Sequence, residues 1–474
     1  MTLKVADFMA GGGGSSQGIH YVPGVELTLI LNHWRLAIDS HALNFPWAQH
    51  ECCDISQADF RWYPRVDILW SSPECVHHSV AQGKKRIQLD QIPDENGETL
   101  PADAAERSRA TAWDIVRYLE RMILRGKPVL GGVVENVIDF QKWVLFESWR
   151  KALEVLGYDT EIIHLNSAHA HSRKAPWAPQ SRDRFYLGYV HRSVGRMPDW
   201  QKWVRPHATC PDHGAVRARQ DFKCKDREPW GRYRTQYVYR CPVGACDQVI
   251  EPLALPASKA VDWTIPAQRI GDRPRTKAKP EGLSPKTMAR IRDGLERYAR
   301  HLVVPVEGRE GKQAKPLDEP SRTMTTRRET GVAFIPFIAE LRGGASKHRS
   351  TEDPLCTVTA SGNHHGLVAE DLAVPYYGTG RARPLSQPLG ALTTVDRYGL
   401  LKAQIQAEDC LFRMLEPEEI GTAMSFREGY KLLGTKRERV RMLGNAVTPN
   451  AAEVLVSALT EAITGEDLEP AVAP

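Results

Sequence analysis

The feature that most constrains the fold of this chain is a run of four glycines directly after an apolar segment. Leu3–Ala10 has the composition of a buried strand, Gly11–Gly14 follow at once, and Ser15 begins a predicted helix. A strand, a glycine turn and a helix N-terminus together bring the backbone close to a nucleotide-like ligand. A glycine run can also be a flexible linker, but its position immediately after a strand favours a ligand loop.

Polar residues follow two further predicted strands, as expected where an α/β sheet gathers its functional groups. The strand Val25–Ile30 leads to His33 and Trp34, and a third strand ends near Asp54. In a doubly wound fold the end of the second strand commonly meets the ribose of a bound cofactor. Asp54 could accept a hydrogen bond from an adenine amino group.

Cys75 follows a short apolar strand, Val66–Leu69, through a Ser-Ser-Pro turn. A sulfur in a turn at the edge of a sheet is better placed to react than to pack. A lone cysteine is more often a small buried hydrophobe, so its reactivity must be judged from its partners.

The polar segment Gln82–Leu100, with Lys84–Arg86 near its start, predicts a mobile loop able to close over an anionic substrate.

Two more predicted strands carry groups that could serve such a nucleophile. One buried strand ends in Glu135, which can act as an acid or a hydrogen-bond donor if its pKa is raised. A surface acid or a helix N-cap is an equally good interpretation of this residue alone. Alternation from residue 180 to residue 190 predicts a strand that places Gln180, Arg182 and Arg184 on one face.

Taken in order, these motifs resemble those of the cytosine-C5 DNA methyltransferase family. The matching segments are Asp7–Gly14 for the cofactor loop, Ser72–Cys75 for the nucleophile, Glu135-Asn136-Val137, Gln180-x-Arg182-x-Arg184 and the closing Gly444-Asn445-Ala446-Val447. The resemblance covers residues 1–190 and 410–465, with a variable segment between them, as in that family. It implies an α/β fold: a Rossmann-like S-adenosylmethionine-dependent methyltransferase domain with a doubly wound, mostly parallel sheet, and a mainly β target-recognition region.

The resemblance also implies roles for individual residues. Cys75 would add as a thiolate to carbon 6 of cytosine, and Glu135 would hold ring N3 and the exocyclic amine. Arg182 and Arg184 would contact the O2 side of the base and fix the loop that holds the nucleophile. S-adenosylmethionine would be bound by residues of the glycine loop, the strand ends and the closing motif: Phe8, Met9, Ala10, Gly11, Gly12, Gly14, His33, Trp34, Asp54, Ile55, Asn445 and Val447.

Two positions depart from the family pattern. Glu74 stands where the family has a proline immediately before the nucleophile, and Pro73 lies one place earlier. A neighbouring carboxylate should raise the pKa of the thiol unless Glu74 points away from it. The acid expected to bind the ribose is replaced by His33, although Trp34 keeps the aromatic residue for the adenine face.

The middle of the chain contains two pairs of metal-ligand residues. Cys210 and His213 form a Cys-x2-His pair, and Cys241 and Cys246 form a Cys-x4-Cys pair, separated by an Arg/Tyr-rich segment that predicts strands. This spacing suits a tetrahedral zinc in a ribbon. Cys224 lies between the pairs and is the rival fourth ligand if His213 is free. Unliganded cysteines in a basic loop are the alternative.

The formal net charge of +5 hides a basic block in the middle of the chain. Residues 191–300 contain 23 Lys and Arg against 12 Asp and Glu, an excess of +11, so the remainder of the chain sums to −6. This asymmetry predicts a polyanionic partner, most simply nucleic acid, although a solvated basic surface would give the same count.

The location of the protein is predicted from what the sequence lacks. No apolar run reaches the ~20 residues of a membrane span, and the N-terminus has no signal-peptide pattern. The nine cysteines are therefore expected to be reduced thiols, some of them holding metal. We expect a cytoplasmic protein with no membrane partner.

Four regions are predicted along the chain. They are the catalytic methyltransferase domain 1–190, a zinc-ribbon-like insert 191–255, a target-recognition region 256–400 and a C-terminal part 401–474 that closes the catalytic domain. The target-recognition region contains three repeats that begin at Pro320, Pro354 and Pro388, at an offset of 34 residues. A segment rich in Pro, Lys and Arg, from Ala267 to Lys286, is expected to be a linker.

We therefore expect a DNA cytosine-C5 methyltransferase of restriction–modification or phage self-protection type. It would act as a monomer on double-stranded DNA, with S-adenosylmethionine as the methyl donor and one structural zinc. An RNA cytosine-5 methyltransferase is a second hypothesis, disfavoured because RNA-directed relatives typically have a small insert. A catalytically silent DNA-binding protein is a third, disfavoured because Cys75, Glu135 and both arginines are retained.

Overall fold

The structure is a computed structural model that describes most of the chain. The described residues are 2–73, 102–285, 287–289, 291–292, 302–305, 315–316, 330–333, 337–340, 348–351, 353–357, 365–369, 372–373, 383–384 and 407–472. The predicted nucleophile Cys75, its neighbour Glu74, the Gln82–Leu100 loop, and the repeats that begin at Pro320 and Pro388 lie outside the described residues. The chain forms two compact units.

The first unit comprises Met1–Val261, Pro354–Asn363 and Glu416–Pro474. Its strands are β1 Leu3–Phe8, β2 Val25–Asn32, β3 Gln49–Cys52, β4 Ile68–Ser71, β5 Gly131–Asn136, β6 Tyr158–Asn166, β7 Gln180–Ser181, β8 Asp183–His191, β9 His207–Cys210, β10 Gly214–Arg217, β11 Arg219–Phe222, β12 Tyr237–Arg240 and β19 Leu355–Cys356. Seven of them form one sheet in the order β3-β2-β1-β4-β5-β8-β6. Only β8 runs antiparallel to its neighbours, so the predicted doubly wound, mostly parallel sheet is confirmed.

Helices cover both faces of this sheet. They are α1 Gly14–Tyr21, α2 Arg35–Asn44, α3 Ala102–Leu124, α4 Phe146–Val155, α5 Trp200–Val204, α6 Pro417–Ala423, α7 Lys436–Asn445 and α8 Pro449–Thr464. Short 3-10 turns lie at Ile55–Gln57, Ile138–Lys142, Ser167–His169, Arg192–Val194 and Ala257–Ala260. None of the helices in the described part of the chain has the length and apolarity needed to cross a lipid bilayer.

Alternate residues of the strands enter two separate cores, because successive side chains of a strand point to opposite faces. Val5 and Trp70 belong to the core beneath α8, whereas Phe8 and Leu69 belong to the core beneath α3 and α4. The final helix α8 packs against α1 and α5, on the face that carries Val5. The C-terminus thereby completes the same domain that the N-terminus begins.

The strand predicted from residue 180 to residue 190 is interrupted at Arg182. The backbone N–H of Arg182 donates to the Asn166 side-chain oxygen (3.1 Å), and its carbonyl accepts from the Ser167 N–H (2.9 Å). These bonds take the place of ladder bonds at one position, so β7 and β8 are separate strands. β7 pairs instead with β19.

A small β substructure follows the main sheet in the first unit, and we refer to residues 207–252 as the ribbon. It consists of two antiparallel hairpins, β9 with β10 and β11 with β12. Their shared core contains the residues Ala208, Cys210, Ala218, Tyr237, Tyr239, Cys241 and Ile250. Two of the predicted metal ligands are therefore buried in the centre of the ribbon.

The second unit, Asp262–Asp353 with His364–Leu415, is mainly β where it is described. Its strands are β13 Gln268–Arg269, β14 Leu302–Pro305, β15 Lys315–Pro316, β16 Thr330–Ala333, β17 Phe337–Glu340, β18 His348–Ser350, β20 His365–Ala369, β21 Leu372–Ala373, β22 Arg383–Pro384 and β23 Leu411–Met414, with 3-10 turns at Ile270–Asp272 and Ala407–Asp409. Five of them form an antiparallel sheet in the order β13-β23-β20-β17-β18.

The segment predicted to be a linker, Ala267 to Lys286, is part of the core of this second unit. Ile270 and Leu283 are buried in one cluster with Met288, Ile291 and Phe412. The linker prediction was wrong, because the abundance of Pro, Lys and Arg masks two apolar residues that are spaced widely along the segment.

Candidate active site and metal centre

The carboxyl end of β5 carries a buried ion pair. Glu135 is 7% exposed, and Arg184 of the neighbouring strand donates through Nε to its Oε1 at 2.9 Å. Glu135 lies opposite Tyr186 in the β5–β8 register, so Arg184, two residues from Tyr186, reaches the carboxylate diagonally on the same face. The structure thus brings together two of the predicted catalytic residues.

The environment of Glu135 changes its acidity in two opposing ways. Burial raises the pKa of the carboxyl, while the positive charges of Arg184 and Arg182 lower it, and the net result is a raised pKa. A carboxyl with a raised pKa retains its proton at higher pH than usual, so it can donate a hydrogen bond or a proton to a ring nitrogen.

Asn136 joins the end of β5 to the segment that leads to Cys75. Its side-chain nitrogen donates to the carbonyl of Pro73 at 3.1 Å, and its side-chain oxygen accepts from the Val137 N–H at 2.8 Å. Pro73 is the last described residue before Cys75 in the sequence. The Glu-Asn-Val motif therefore holds the backbone on the N-terminal side of the predicted nucleophile.

The side chain of Arg182 contacts the closing motif. Its guanidinium is buried and donates through Nη2 to the carbonyls of Gly444 and Ala446, each at 3.1 Å. Both arginines were predicted to contact the base, yet in the described structure Arg182 fixes the backbone on either side of Asn445. Asn445 is exposed and Val447 is buried.

The glycine loop turns sharply where β1 ends. Phe8 is fully buried against the rings of Phe60 and Tyr118, so only its backbone can face a cofactor. Met9 and Gly11 both adopt the left-handed conformation, with φ of 59° and 53°. A Cβ at Gly11 would meet nothing within 4 Å, so the loop is open to a ligand at this position.

The other end of the loop is closed by the C-terminal part of the chain. A Cβ on Gly14 would lie 1.9 Å from the carbonyl oxygen of Val447, whereas one on Gly12 would lie 3.4 Å from Met442 Cβ. Gly14, predicted as a cofactor residue, is therefore required by close packing against the closing motif. Ala10, also predicted to bind the cofactor, is buried and donates its N–H to the carbonyl of Leu31 at 3.2 Å.

The predicted adenine and ribose residues lie at the carboxyl edge of the sheet. Trp34 is partly exposed, and the Arg441 guanidinium lies 5.0 Å from its ring centroid. His33 is exposed. Asp54 is also exposed, and it caps the turn of the buried Ile55 by accepting from the Ser56 N–H at 3.0 Å. One Asp54 oxygen is thus already used within the protein.

A buried polar network behind the glycine loop was missed by the sequence reasoning. Ser15 and Ser16 donate to Asp7 Oδ2 at 2.5 and 2.6 Å, and Ser16 Oγ lies 2.8 Å from His41 Nε2. His41 Nδ1 in turn lies 2.8 Å from His50 Nε2. Because the Ser16 hydroxyl donates to Asp7, its oxygen accepts from His41, and His41 Nδ1 accepts from His50.

Two residues of this network beside the glycine loop have shifted pKa values. Burial raises the pKa of Asp7 to about 7, although the hydrogen bonds from Ser15 and Ser16 oppose the rise. Burial also lowers the pKa of His41 to about 3, so this histidine is neutral at physiological pH. The signal in the sequence was the pair of serines directly after the glycines, which can donate back to the last acidic residue of the strand.

The four predicted metal ligands come together in the ribbon. Their donor atoms all lie within 4.8 Å of one another. Cys210 Sγ is 3.8 Å from Cys246 Sγ, and His213 Nδ1 is 3.6 Å from the sulfurs of both Cys210 and Cys241. A tetrahedral zinc with ordinary bond lengths separates two sulfurs by ~3.8 Å and a sulfur from a nitrogen by ~3.6 Å. These three distances match a tetrahedral zinc site, and the chemistry of the donor set fits that metal.

The rival ligand is not part of this group. Cys224 is exposed, and it does not belong to the cluster of donors found among the described residues. His213 is the member of the group that comes from the turn between β9 and β10, and it is exposed.

Much of the positive charge predicted to bind a polyanion is engaged within the protein. In the ribbon, Arg219 pairs with Asp247 at 2.7 Å and Arg240 pairs with Asp221 at 2.8 Å. Outside the basic block of residues 191–300, two basic residues of α7 are also paired, Lys436 with Glu416 at 2.7 Å and Arg439 with Glu418 at 2.6 Å. A count of basic residues therefore overstates the charge that is available to a partner.

The order of the sheet, the glycine loop after β1 and the buried carboxylate at the carboxyl end of β5 define a Rossmann-like methyltransferase domain. The family model of C-5 cytosine-specific DNA methylases matches residues 3–194, the part of the chain that contains β1 to β8. The resemblance drawn from the motifs is thereby confirmed. No curated protein sequence matches the chain.

Solved structures of similar fold include several methyltransferases. The Dnmt2 methyltransferase of S. pombe is 13% identical, with 98% of this chain and 100% of that chain covered and a TM-score of 0.50. A DNMT2 mutant of Spodoptera frugiperda is 13% identical, with coverages of 97% and 100% and a TM-score of 0.49. An E. coli protein described as a DNA modification methyltransferase encoded within a prophage is 14% identical, with coverages of 98% and 99% and a TM-score of 0.46. At such low identity the S. pombe structure indicates a shared fold only.

Proposed function

We propose that this protein is a DNA (cytosine-5)-methyltransferase that moves a methyl group from S-adenosylmethionine to carbon 5 of a flipped-out cytosine, through a covalent adduct with Cys75. The observation that carries the proposal is the buried Glu135–Arg184 pair. It lies at the carboxyl end of β5, beside β4, the strand whose continuation leads to Cys75.

Methylation at carbon 5 needs a nucleophile and an acid that act on the same cytosine ring. Addition of the Cys75 thiolate to carbon 6 forms a C–S bond and pushes the ring electrons toward carbon 5, which becomes nucleophilic like an enamine carbon. S-adenosylmethionine would supply the electrophilic methyl group: a bond forms between carbon 5 and the methyl carbon while the S–CH3 bond of the donor breaks, which leaves S-adenosylhomocysteine. Removal of the proton from the methylated carbon 5 then returns an electron pair to the ring and expels Cys75, which leaves 5-methylcytosine.

The residues around this reaction have separate tasks. A protonated Glu135 would stabilise the adduct by hydrogen bonding to ring N3, and Arg184 would orient its carboxyl group. Arg182 would act indirectly, by fixing the closing motif on either side of Asn445. This division of labour is supported by the different partners of the two arginines.

The residues at the sheet edge fit a nucleoside-bearing methyl donor. The loop is open at Gly11, the partly exposed ring of Trp34 offers a stacking surface, and Asp54 has a second oxygen for an amino group. We propose Phe8 to Gly12 through their backbone, Gly14, His33, Ile55, Asn445 and Val447 as the remaining cofactor residues.

The substrate proposed is double-stranded DNA. The target base is inaccessible within a duplex and must be flipped out, which costs a few kcal/mol. We assign closure on the flipped base to the Lys84–Arg86 segment, and sequence recognition to the region 256–400. The protein would act as a monomer, as part of a restriction–modification or self-protection system, with zinc bound by Cys210, His213, Cys241 and Cys246.

The substrate class is tested by incubating the purified protein with methyl-labelled S-adenosylmethionine and either duplex DNA or tRNA, followed by nucleoside analysis. We expect label in 5-methyldeoxycytidine from DNA and none in the RNA. Label found only in 5-methylcytidine from tRNA would establish the RNA alternative. Absence of label from both, with DNA binding retained, would favour the catalytically silent protein.

A further inference from the structure

The ribbon contacts β8 at Asp183, the residue between Arg182 and Arg184. Asp183 is the first residue of β8, with Arg182 before it and Arg184 after it. Its Oδ1 accepts a hydrogen bond from the Tyr237 hydroxyl at 2.8 Å and from the Tyr233 N–H at 3.1 Å. Burial raises the pKa of Asp183, while these two hydrogen bonds lower it.

A second contact reaches the residues directly after the Glu-Asn-Val motif. The indole N–H of Trp230 donates to the carbonyl of Ile138 at 3.2 Å, and Arg232 pairs with Asp139 at 2.8 Å. The Lys142 ammonium lies 3.7 Å from the centroid of the Trp230 ring. The ribbon therefore holds the turn that follows β5 as well as the start of β8.

A third contact lies at the end of β6, the strand that pairs with β8. The ring of His169 packs edge-on against Tyr233 and Tyr239, with centroid distances of 4.5 and 5.2 Å. The side chain of Gln220 donates to the carbonyl of His164 at 3.1 Å. All three contacts fall on elements that carry or support Glu135, Arg182 and Arg184.

The ribbon is too small to keep this arrangement through its own core. Apart from its cysteines, its core cluster holds two alanines, one isoleucine and two tyrosines. Small β modules of this kind usually depend on a metal or on disulfides for stability. The metal ligands join the two hairpins: Cys210 ends β9, and Cys241 follows β12, whose first residue is Tyr237.

We propose that the metal-bound ribbon is a positioning element for the active site, so that zinc bound at Cys210, His213, Cys241 and Cys246 controls turnover although none of these residues belongs to the active site. Zinc fixes β12, Tyr237 on β12 fixes Asp183, and Asp183 fixes the backbone between Arg182 and Arg184. Asp183 and Tyr237 are positioning residues that act through these arginines. This inference rests on the proposed methyltransferase function.

The hydrogen bond from Tyr237 to Asp183 is tested with Tyr237→Phe in the full-length protein. We expect kcat for methyl transfer to fall about tenfold, as for loss of one hydrogen bond to a charged acceptor, while KM for S-adenosylmethionine changes less than about twofold. Tyr158→Phe is the matched control, because it also removes a buried hydroxyl bond, to the Val129 carbonyl at 3.0 Å, at the far end of β6. The control should keep the wild-type kcat.

A second test compares two substitutions of Asp183, one of which keeps a hydrogen-bond acceptor. Asp183→Ala removes the oxygen that accepts both hydrogen bonds and should lower kcat further. Asp183→Asn keeps an acceptor oxygen for Tyr237 and should restore most of the loss. A Tyr237→Phe protein with normal zinc content and wild-type kcat would overturn the proposal. Equal kcat for the Ala and Asn variants would also contradict it.

The role of the metal is tested by metal analysis and by amide hydrogen exchange. Wild-type protein and Cys224→Ser should contain one zinc per chain, and Cys241→Ser should contain none. Chelation of zinc should speed exchange in residues 138–142 and 180–186, leave β1 unchanged, and lower kcat until zinc is added back. Unchanged exchange and unchanged kcat in the metal-free protein would overturn the proposal.

Failure of this inference can be told apart from failure of the proposed function. A wild-type protein that transfers no methyl group would remove the function, while zinc content and exchange would still report on the ribbon. A protein that methylates DNA equally well with and without zinc would remove the inference alone.

Discussion

Glu135→Ala should lower the rate of methyl transfer to DNA by about 10²–10⁴-fold, the range expected for loss of a general acid. The substitution removes the only group that the proposal assigns to ring N3. It also leaves Arg184 without its carboxylate partner at 2.9 Å. Single-turnover measurement with excess enzyme separates this chemical step from product release.

Glu135→Gln distinguishes the contribution of a hydrogen bond to N3 from that of proton transfer. The amide can donate a hydrogen bond to N3 but cannot transfer a proton, so its rate should lie between those of the wild type and Glu135→Ala. Because the pKa of Glu135 is raised, the wild-type rate should be highest while Glu135 is protonated and should fall on the alkaline side as the proton is lost. The Gln variant should lack this alkaline fall. An alanine variant with wild-type rate would remove Glu135 from the mechanism.

Gly14→Ala should destabilise the protein by about 1–3 kcal/mol or more, as expected for overpacking of a close contact. The new methyl group would lie 1.9 Å from the Val447 carbonyl oxygen and 3.1 Å from Phe426 Cζ. The Val447 carbonyl is backbone and cannot turn aside as a flexible side chain can. Either the glycine loop or the closing motif must move, so we also expect weaker binding of S-adenosylmethionine.

The matched control is Gly12→Ala, two residues earlier in the same loop. Its added methyl group would come no closer than 3.4 Å to Met442 Cβ, which is an ordinary contact. Denaturant unfolding of both variants without cofactor should show a loss of stability for Gly14→Ala only. Equal stability of the two variants would mean that the closing motif does not pack on Gly14 as described.

The sequence predicted those parts of the fold and site that are encoded locally. Apolar runs that end in glycine or polar residues marked β1, β2, β4 and β5, because buried strands and their loops differ sharply in composition. The spacing of Cys210, His213, Cys241 and Cys246 indicated a group of metal-binding side chains, and their donor atoms lie within 4.8 Å of one another.

The remaining features depend on contacts between residues far apart in the chain. Arg182 binds the carbonyl of Gly444, and Asp183 binds Tyr237. No local sequence pattern predicts either partner. Gly14 was predicted to bind the cofactor, because a run of glycines does not reveal that Gly14 packs closely against the Val447 carbonyl. Asp7 could have been found from its two neighbouring serines, but His41 and His50 could not.

The central claim is that Cys75 forms a covalent bond to the cytosine ring, and DNA that contains 5-fluorodeoxycytidine tests it most directly. After methyl transfer to such a base, carbon 5 carries fluorine where a removable proton should be, so Cys75 cannot be expelled. With S-adenosylmethionine present, wild-type protein should form a complex with this DNA that survives denaturing electrophoresis, and Cys75→Ala should form none. A wild-type protein that methylates ordinary DNA but gives no such complex, or a Cys75→Ala protein that gives one, would contradict the account.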